Sequence, residues 1–349
     1  MGMMPVLTPS APASVLPGSP VATPGAAFIE LRRRVLQTDL FHGQPVYYVL
    51  QIIWCAALLA TGATLITLSD SLLVQLPNAA LMAFASGQIG LLGHDAGHCQ
   101  LFRRQRWNMV LGQLCALCTG VSRLYWVEKH NEHHALPNHE DMDPDIDYVV
   151  MAFTADQAQK KSGLLRWIVR HQTARFFPII ALSAYSLRDW SIRYFLHHPL
   201  RKTRVDLLCF SASFVLYFGW IFSHLPPVTG VLFILAHQAL WGMYLGSVFA
   251  PNHKGMPVIR RGQEIGYLQQ QVMTSRNVRG NPVVDLVYGG LNYQIEHHLF
   301  PTMPRRNLRR VRLLVRDYCR EADVPYHETG VVQSFREIFA HLRAVSLQV

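Results

Sequence analysis

Seven of the chain's 17 histidines fall into three tight groups: His94-Asp95-Ala96-Gly97-His98, His130-Asn131-Glu132-His133-His134 and Gln294-Ile295-Glu296-His297-His298. Residues three or four apart share one face of a helix, so the histidines within each group point the same way. A neutral imidazole nitrogen is a good ligand for iron, zinc or copper. Seven of them converging exceed what one tetrahedral zinc can use, so the count favours two metals. Di-iron sites in helical bundles usually draw bridging carboxylates from Glu-x-x-His motifs. Glu132 and Glu296 lie inside the groups without that spacing, and an all-imidazole site is the simpler reading. A lone histidine is ordinarily a hydrogen-bonded core or surface residue; three groups at helical spacing are not explained that way.

The elements that must position these groups are legible in the distribution of charge. Of 32 Lys and Arg residues, none lies between Val46 and Leu101 and none between Val205 and His253. Within those gaps the apolar stretches 46–69, 72–92, 205–224 and 228–250 are each long enough to cross a hydrocarbon core of roughly 30 Å. The connectors, at Asp70 and at Leu225-Pro226-Pro227, carry no Lys or Arg. Arg32, Arg33 and Arg34 precede the first pair, and Arg201, Lys202 and Arg204 the second. The expectation is an all-α integral membrane protein with two transmembrane helical hairpins, four spans in all, whose basic segments and both termini face the cytosol. Met109–Val121 and Phe176–Leu187 are too short to span and fit interfacial or re-entrant helices; the alternative, six spans, requires extending them through flanking Arg residues. All three histidine groups then fall on the cytosolic side, in a helical cap.

At these residues the sequence resembles the membrane fatty acid desaturases, which carry three histidine boxes of the form HxxxH, HxxHH and H/QxxHH. The strings HNEHHALPN, DPDID and LNYQIEHHLFPTMPRRNL, with Gln294 opening the third box, look most like the front-end and related acyl-lipid branch. The resemblance implies iron ligation by His94, His98, His130, His133, His134, His297 and His298, a further ligand at His253 where the fourth span ends, and Gln294 as an additional candidate. It also implies two Fe ions with O2 as co-substrate, and a fatty acyl substrate held as lipid, acyl-CoA or acyl carrier protein thioester. Two features depart from the family's variants. His198-Pro199 is followed by Leu200 and Arg201, not by the Gly-Gly of a cytochrome b5 heme motif, so electrons are expected from a separate donor such as ferredoxin or cytochrome b5 with its reductase. Phe249 breaks the Asn-x-x-x-His pattern of the acyl-CoA branch, so no Asn-mediated ligand is carried over. The expected organisation is a disordered tail over 1–27, a membrane desaturase domain over 28–326 and a C-terminal extension over 327–349.

The remaining features have plainer readings. A formal charge of +10 suits anionic membrane lipid, an acidic carrier or an acidic electron donor better than nucleic acid. His237, in the middle of the fourth span, is either functional or hydrogen-bonded to a neighbouring helix. The run Asp141, Asp143, Asp145, Asp147 lacks the Gly and bidentate Glu of a calcium loop; it is placed to orient histidines through their second ring nitrogen or to meet a cationic partner. Cys115 and Cys118 form a lone CxxC in an apolar string, where packing is the expected role. Asn307–Cys319 reads as an amphipathic helix, on lipid or on the cap.

An unactivated methylene C–H bond resists every side-chain acid or base, so the oxidant must come from reduced iron and O2. The function expected is O2-dependent acyl desaturation. Hydroxylation, epoxidation or triple-bond formation on the same scaffold is the near alternative, and a zinc-holding receptor or transporter the remote one.

Overall fold

The computed structural model describes residues 25–349. The tail expected over 1–27 lies outside them apart from its last three residues, of which Ala26 and Ala27 open α1 (Ala26–Leu36). Four long helices follow at the expected places: α2 (Pro45–Leu68) and α3 (Leu72–Gly97), then α10 (Leu200–His224) and α11 (Pro227–His253). Each is long and apolar enough to cross a membrane. Val46, Val49, Leu50 and Ile53 on α2, and Val205, Leu208, Val215 and Leu216 on α10, are exposed. Apolar surface left uncovered to that extent suits lipid, not water. This is a membrane protein.

The second and fourth helices outrun their apolar stretches. α3 continues to Gly97 and α11 to His253, so the last turn of each projects histidines past the apolar run. These two helices form the axis of the fold and pack along one another. Small residues permit the approach, as is usual where helices associate in lipid: a Cβ at Gly87 would sit 1.8 Å from the Tyr244 ring. On the other side of α11, a Cβ at Gly242 would lie 2.3 Å from the Ala181 carbonyl oxygen, which seats the junction between α8 (Phe176–Ile180) and α9 (Ser183–His197).

Of the two shorter apolar stretches, 176–187 forms α8 and the start of α9, and 109–121 lies in one arm of a bent helix pair that is a broken span or a re-entrant loop by length and composition. α4 (Gln105–Thr119) packs along α3, and α5 (Arg123–Ala135) leaves it at a bend of 109°. Gly120 makes the bend, with φ +64°, a conformation that disfavours a Cβ. Both helix ends at the bend are satisfied from neighbouring helices. Arg188 of α9 donates to the Thr119 carbonyl at 3.0 Å, and Asp206 of α10 accepts from Ser122 Oγ, Arg123 N and Leu124 N. A carboxylate at the start of α5 answers the orphan N–H groups and the positive end of the helix dipole.

The remaining elements wrap the ends of α3 and α11. They are α6 (Ala155–Gln159), α7 (Gly163–Arg170), α12 (Tyr267–Met273), α13 (Pro282–Tyr288), α14 (Gln294–Leu299), α15 (Arg305–Glu321) and α16 (Val331–Ser346). One departure from an all-helical chain is a parallel pair of two-residue strands, β1 (Asn277–Val278) on β2 (Glu328–Thr329). α15 turns Leu308, Val311, Val315 and Cys319 into a core shared with Leu31, Val35, Leu268, Leu299 and Met303, leaving Arg306, Arg309, Arg310, Arg316 and Arg320 exposed. Its apolar face is therefore used by the protein itself. Cys115 is buried against α2 and α3, in keeping with a packing role, while Cys118 is exposed.

Candidate metal centre

The last turn of α3 carries His94 and its C-cap is His98, α5 carries His130, His133 and His134, α11 ends on His253, and α14 carries Gln294, His297 and His298. Their side chains meet in two adjoining sets. In the first, one nitrogen each of His94, His98, His130, His134 and His297 lie within 4.8 Å of one another; in the second, the same holds for His133, His253 and His298. The His130 Nε2 atom is 2.9 Å from His98 Nε2, 3.0 Å from His134 Nε2 and 3.2 Å from His94 Nε2. All eight predicted histidines and Gln294 are thus gathered at one place. His237 is not among them: buried on α11, it meets Ser86 Oγ at 3.1 Å and Tyr217 Oη at 2.6 Å. That is the neighbouring-helix alternative, and about 24 Å of helix separates it from His253.

The second set has a defined proton arrangement. His133 Nδ1 donates to Asp143 at 3.0 Å, His253 Nδ1 to the Thr274 carbonyl at 3.0 Å, and His298 Nδ1 to Gln271 Oε1 at 2.9 Å. With the proton fixed on Nδ1, each Nε2 presents a lone pair inward. Yet His133 Nε2 and His253 Nε2 stand 3.3 Å apart, lone pair against lone pair, and His298 Nε2 has no partner among the described residues. In the first set both ring nitrogens of the fully buried His297 are likewise unpartnered among the described residues. Buried polar atoms are normally paired; a cation in each set would take up the facing lone pairs of His133 and His253, the free Nε2 of His298 and one ring nitrogen of His297. The donor set fits a metal centre.

Electrostatics favour the same occupant. Burial, reinforced by neighbouring imidazoles, holds His98, His130, His134, His297 and His298 well below the ordinary histidine range, so they are neutral at pH 7. Two members of the aspartate run serve this set. Burial works to raise both carboxyls, but Asp143 is held below its usual range by the hydrogen bond from His133, and Asp145 by the ammonium groups of Lys129 and Lys254. Asp143 also accepts the backbone N–H groups of Asn138, at 2.6 Å, and Asp145, at 2.8 Å. Lys129 pairs with Asp145, and Lys254 donates to the Asp145 carbonyl.

The two glutamates inside the boxes point elsewhere. Glu132 is exposed. Glu296 is fully buried and accepts from Asn277 Nδ2 and Tyr326 Oη, both at 2.7 Å; burial pushes its carboxyl up to about 7 against those two hydrogen bonds. Gln294 donates from Nε2 to His253 Nε2 at 2.9 Å and accepts from Asn252 Nδ2 at 2.9 Å, while Asn252 Oδ1 has no partner among the described residues. Turning both amides over would pair Asn252 Oδ1 with Gln294 Nε2 and aim Gln294 Oε1 at the second set.

Several supporting residues left no trace in the sequence. Arg305 ion-pairs with Asp95 inside the first box and donates to the Leu91 carbonyl at 2.7 Å. Gln271, Thr274 and Asp206 act only through contacts distant in the chain. The aspartate run was the one signal of this kind that spacing could offer.

A fatty acid desaturase family model matches residues 71–330. The chain is 30% identical to an acyl-lipid (9-3)-desaturase of Physcomitrium patens over 91% of its own length and 62% of that protein's. It is 31% identical to a delta(5) fatty acid desaturase of Caenorhabditis elegans, covering 89% of this chain and 73% of the other, and 28% identical to a delta(8)-fatty-acid desaturase of Euglena gracilis, covering 86% and 74%.

Proposed function

The chain belongs to the fatty acid desaturase family, and from that premise we propose that it introduces a C=C double bond into a fatty acyl chain, using O2, two iron ions and external electrons. His94, His98, His130, His134 and His297 would hold one iron; His133, His253 and His298, with Gln294 through its amide oxygen, the other. The observation that carries this reading is the pair of inward lone pairs on His133 and His253, 3.3 Å apart and each fixed by a hydrogen bond at Nδ1. When bound, iron supplies with O2 the oxidising power that a methylene C–H bond demands.

The protein's own residues do the placing. Asp143, Thr274 and Gln271 keep three imidazoles in the ligating tautomer, which raises their basicity and fixes ring orientation. Arg305, by neutralising the buried Asp95, keeps a free carboxylate charge out of the first set. Closure by α12, α14 and α15 shields the centre from water, which protects a strong oxidant from side reactions. The two helical pairs would form transmembrane hairpins, with the histidine cap and the basic segments on the cytosolic side. The substrate class we propose is an acyl lipid, from the relatives' names. An acidic redox protein, ferredoxin or cytochrome b5 with its reductase, would deliver the electrons.

The test is expression in a host of known lipid composition, with mass spectrometry of its acyl chains beside a His133→Ala control. Loss of two hydrogens from an acyl chain, absent in the control although that protein is inserted, is the expected result. Gain of one oxygen would replace desaturation by hydroxylation or epoxidation. One zinc per chain and no O2 uptake would overturn the di-iron reading.

A further inference from the structure

α11 ends on His253, and a helix end exposes carbonyls that its own turns cannot satisfy. Here every one from Ala250 to Lys254 has a donor. Lys254 N donates to the Ala250 carbonyl, and Asn138 Nδ2 to that of His253 at 3.0 Å. The other three converge on a single residue: Arg276 Nη1 donates to Pro251 at 2.8 Å and to Lys254 at 3.2 Å, and Arg276 N donates to Asn252 at 2.7 Å. Arg276 is fully buried. Its guanidinium also sits at the negative end of the α11 dipole, where a cation is favoured.

A buried guanidinium needs a counter-charge, and its carboxylate comes from the far end of the chain. Glu337 Oε2, on α16, lies 2.9 Å from Arg276 Nε. Glu337 is itself held from both sides, by His327 Nε2 at 2.9 Å and Gln333 Nε2 at 3.2 Å. The helix is anchored by Ile338 and Leu342, buried with Ala250, Phe153 and Phe176, and by His341, whose Nε2 donates to the Phe153 carbonyl at 2.9 Å. Gly255, next to the end of α11, takes φ +84°, a backbone conformation that L side chains rarely adopt.

We propose that α16, which lies beyond the matched family region, is part of the metal centre, with Glu337 and Arg276 as positioning residues that fix the end of α11 and so deliver His253 to the second histidine set. The segment that carries Arg276 also carries Thr274, whose carbonyl fixes the His253 ring. Backbone position and ring orientation of this one ligand thus depend on the same strap. The proposal rests on the two-iron reading above.

The experiment uses the full chain in detergent, loaded anaerobically with ferrous iron alone, with iron counted per chain and Mössbauer spectra recorded. Wild type is expected to hold two irons. Glu337→Gln and Arg276→Lys are expected to weaken the iron of the second set at least about tenfold, the scale of a lost supporting contact at a metal site. They should bind close to one iron, lose one spectral component and keep the other. Glu337→Asp, which retains the charge, should restore the second component, a rescue that a mere packing role for the side chain would not give. Two irons with unchanged spectra in both Glu337→Gln and Arg276→Lys overturn the proposal, as does equal loss of both components in a folded variant. If wild type itself fails to hold two irons, the two-iron reading falls first, and that failure is visible before any variant is made.

Discussion

Asp143→Asn separates a supporting carboxylate from a ligand. Asp143 is 3% exposed, and both of its oxygens are in use, one taken by the Asn138 N–H, the other by that of Asp145, with His133 Nδ1 at 3.0 Å from each. An asparagine keeps the volume but sets its NH2 group against one of those backbone donors, leaving a buried N–H without an acceptor at about 1–3 kcal/mol. It also removes the charge that holds the His133 proton on Nδ1, so the tautomer with Nε2 free for metal is no longer enforced. Loss of such a carboxylate partner weakens metal binding by about 10- to 100-fold. Ferrous iron titrated into the metal-free variant, followed by Mössbauer spectroscopy, should show the first set filling as in wild type and the second shifted to higher iron concentration by that factor. Coincident titration curves for folded variant and wild type would refute the tautomer argument, whatever the change in melting temperature.

Arg305→Ala leaves Asp95 buried and unpaired, and should destabilise the detergent-solubilised protein by about 3–5 kcal/mol; Arg305→Lys should lie between, since it keeps the charge but loses the fork to the Leu91 carbonyl. Asp206→Ala removes the acceptor for the first N–H groups of α5, and a fall in stability of about 1–2 kcal/mol should come with a larger loss of desaturation, because α5 carries three histidines. The metal-free protein should melt at lower temperature as pH falls from 7 to 5.5. Burial depresses His98, His130, His134, His297 and His298, so the unfolded chain takes up protons below about 6.5 that the folded chain refuses, and stability present above that value is lost beneath it at up to about 1.4 kcal/mol per histidine per pH unit. A melting temperature that is flat over that range would sink the assignment of neutral, buried imidazoles. Glu296→Ala, which orphans Asn277 and Tyr326, should cost more stability than Glu296→Gln, measured by thermal melting at pH 7.

What the sequence disclosed was local. Helical spacing aligns His94 with His98 and His130 with His134, and a gap in Lys and Arg marks an apolar span; both are properties of neighbouring residues. The division of eight histidines into five and three is not local, since His130 and His133 share a helix yet serve different sets. Nor is the true end of α3 or α11 visible in hydropathy, because polar residues continue those helices after the apolar run stops. The 109–121 stretch is short by itself, yet α4 and α5 together are long and apolar enough for a bent fifth span; Gly120 marks the bend locally, while Arg188 and Asp206, which satisfy the helix ends there, are distant in sequence. The amphipathic pattern of α15 identified a helix and left its partner open; the core under Val311 and Val315 decides it. Residues 327–349 had no motif, and the role of α16 rests on a single charge facing Arg276.

The proposed ligands are drawn from residue 94 through residue 298, and the charge that balances Asp95 sits later still, at Arg305. During synthesis the four long helices are therefore complete while His94, His98 and the second box still lack their partners on α14. Asp95 stays unneutralised until α15 is made, and Arg276 until α16 is made. On the two-iron reading proposed above, iron would fill the cage only after α14 is made, so the newly made chain would pass through a stage with its four long helices complete and its imidazole cage open. A chain interrupted after residue 253 would lack α14 and α15, leaving the histidine sets incomplete and Asp95 without its Arg305 partner.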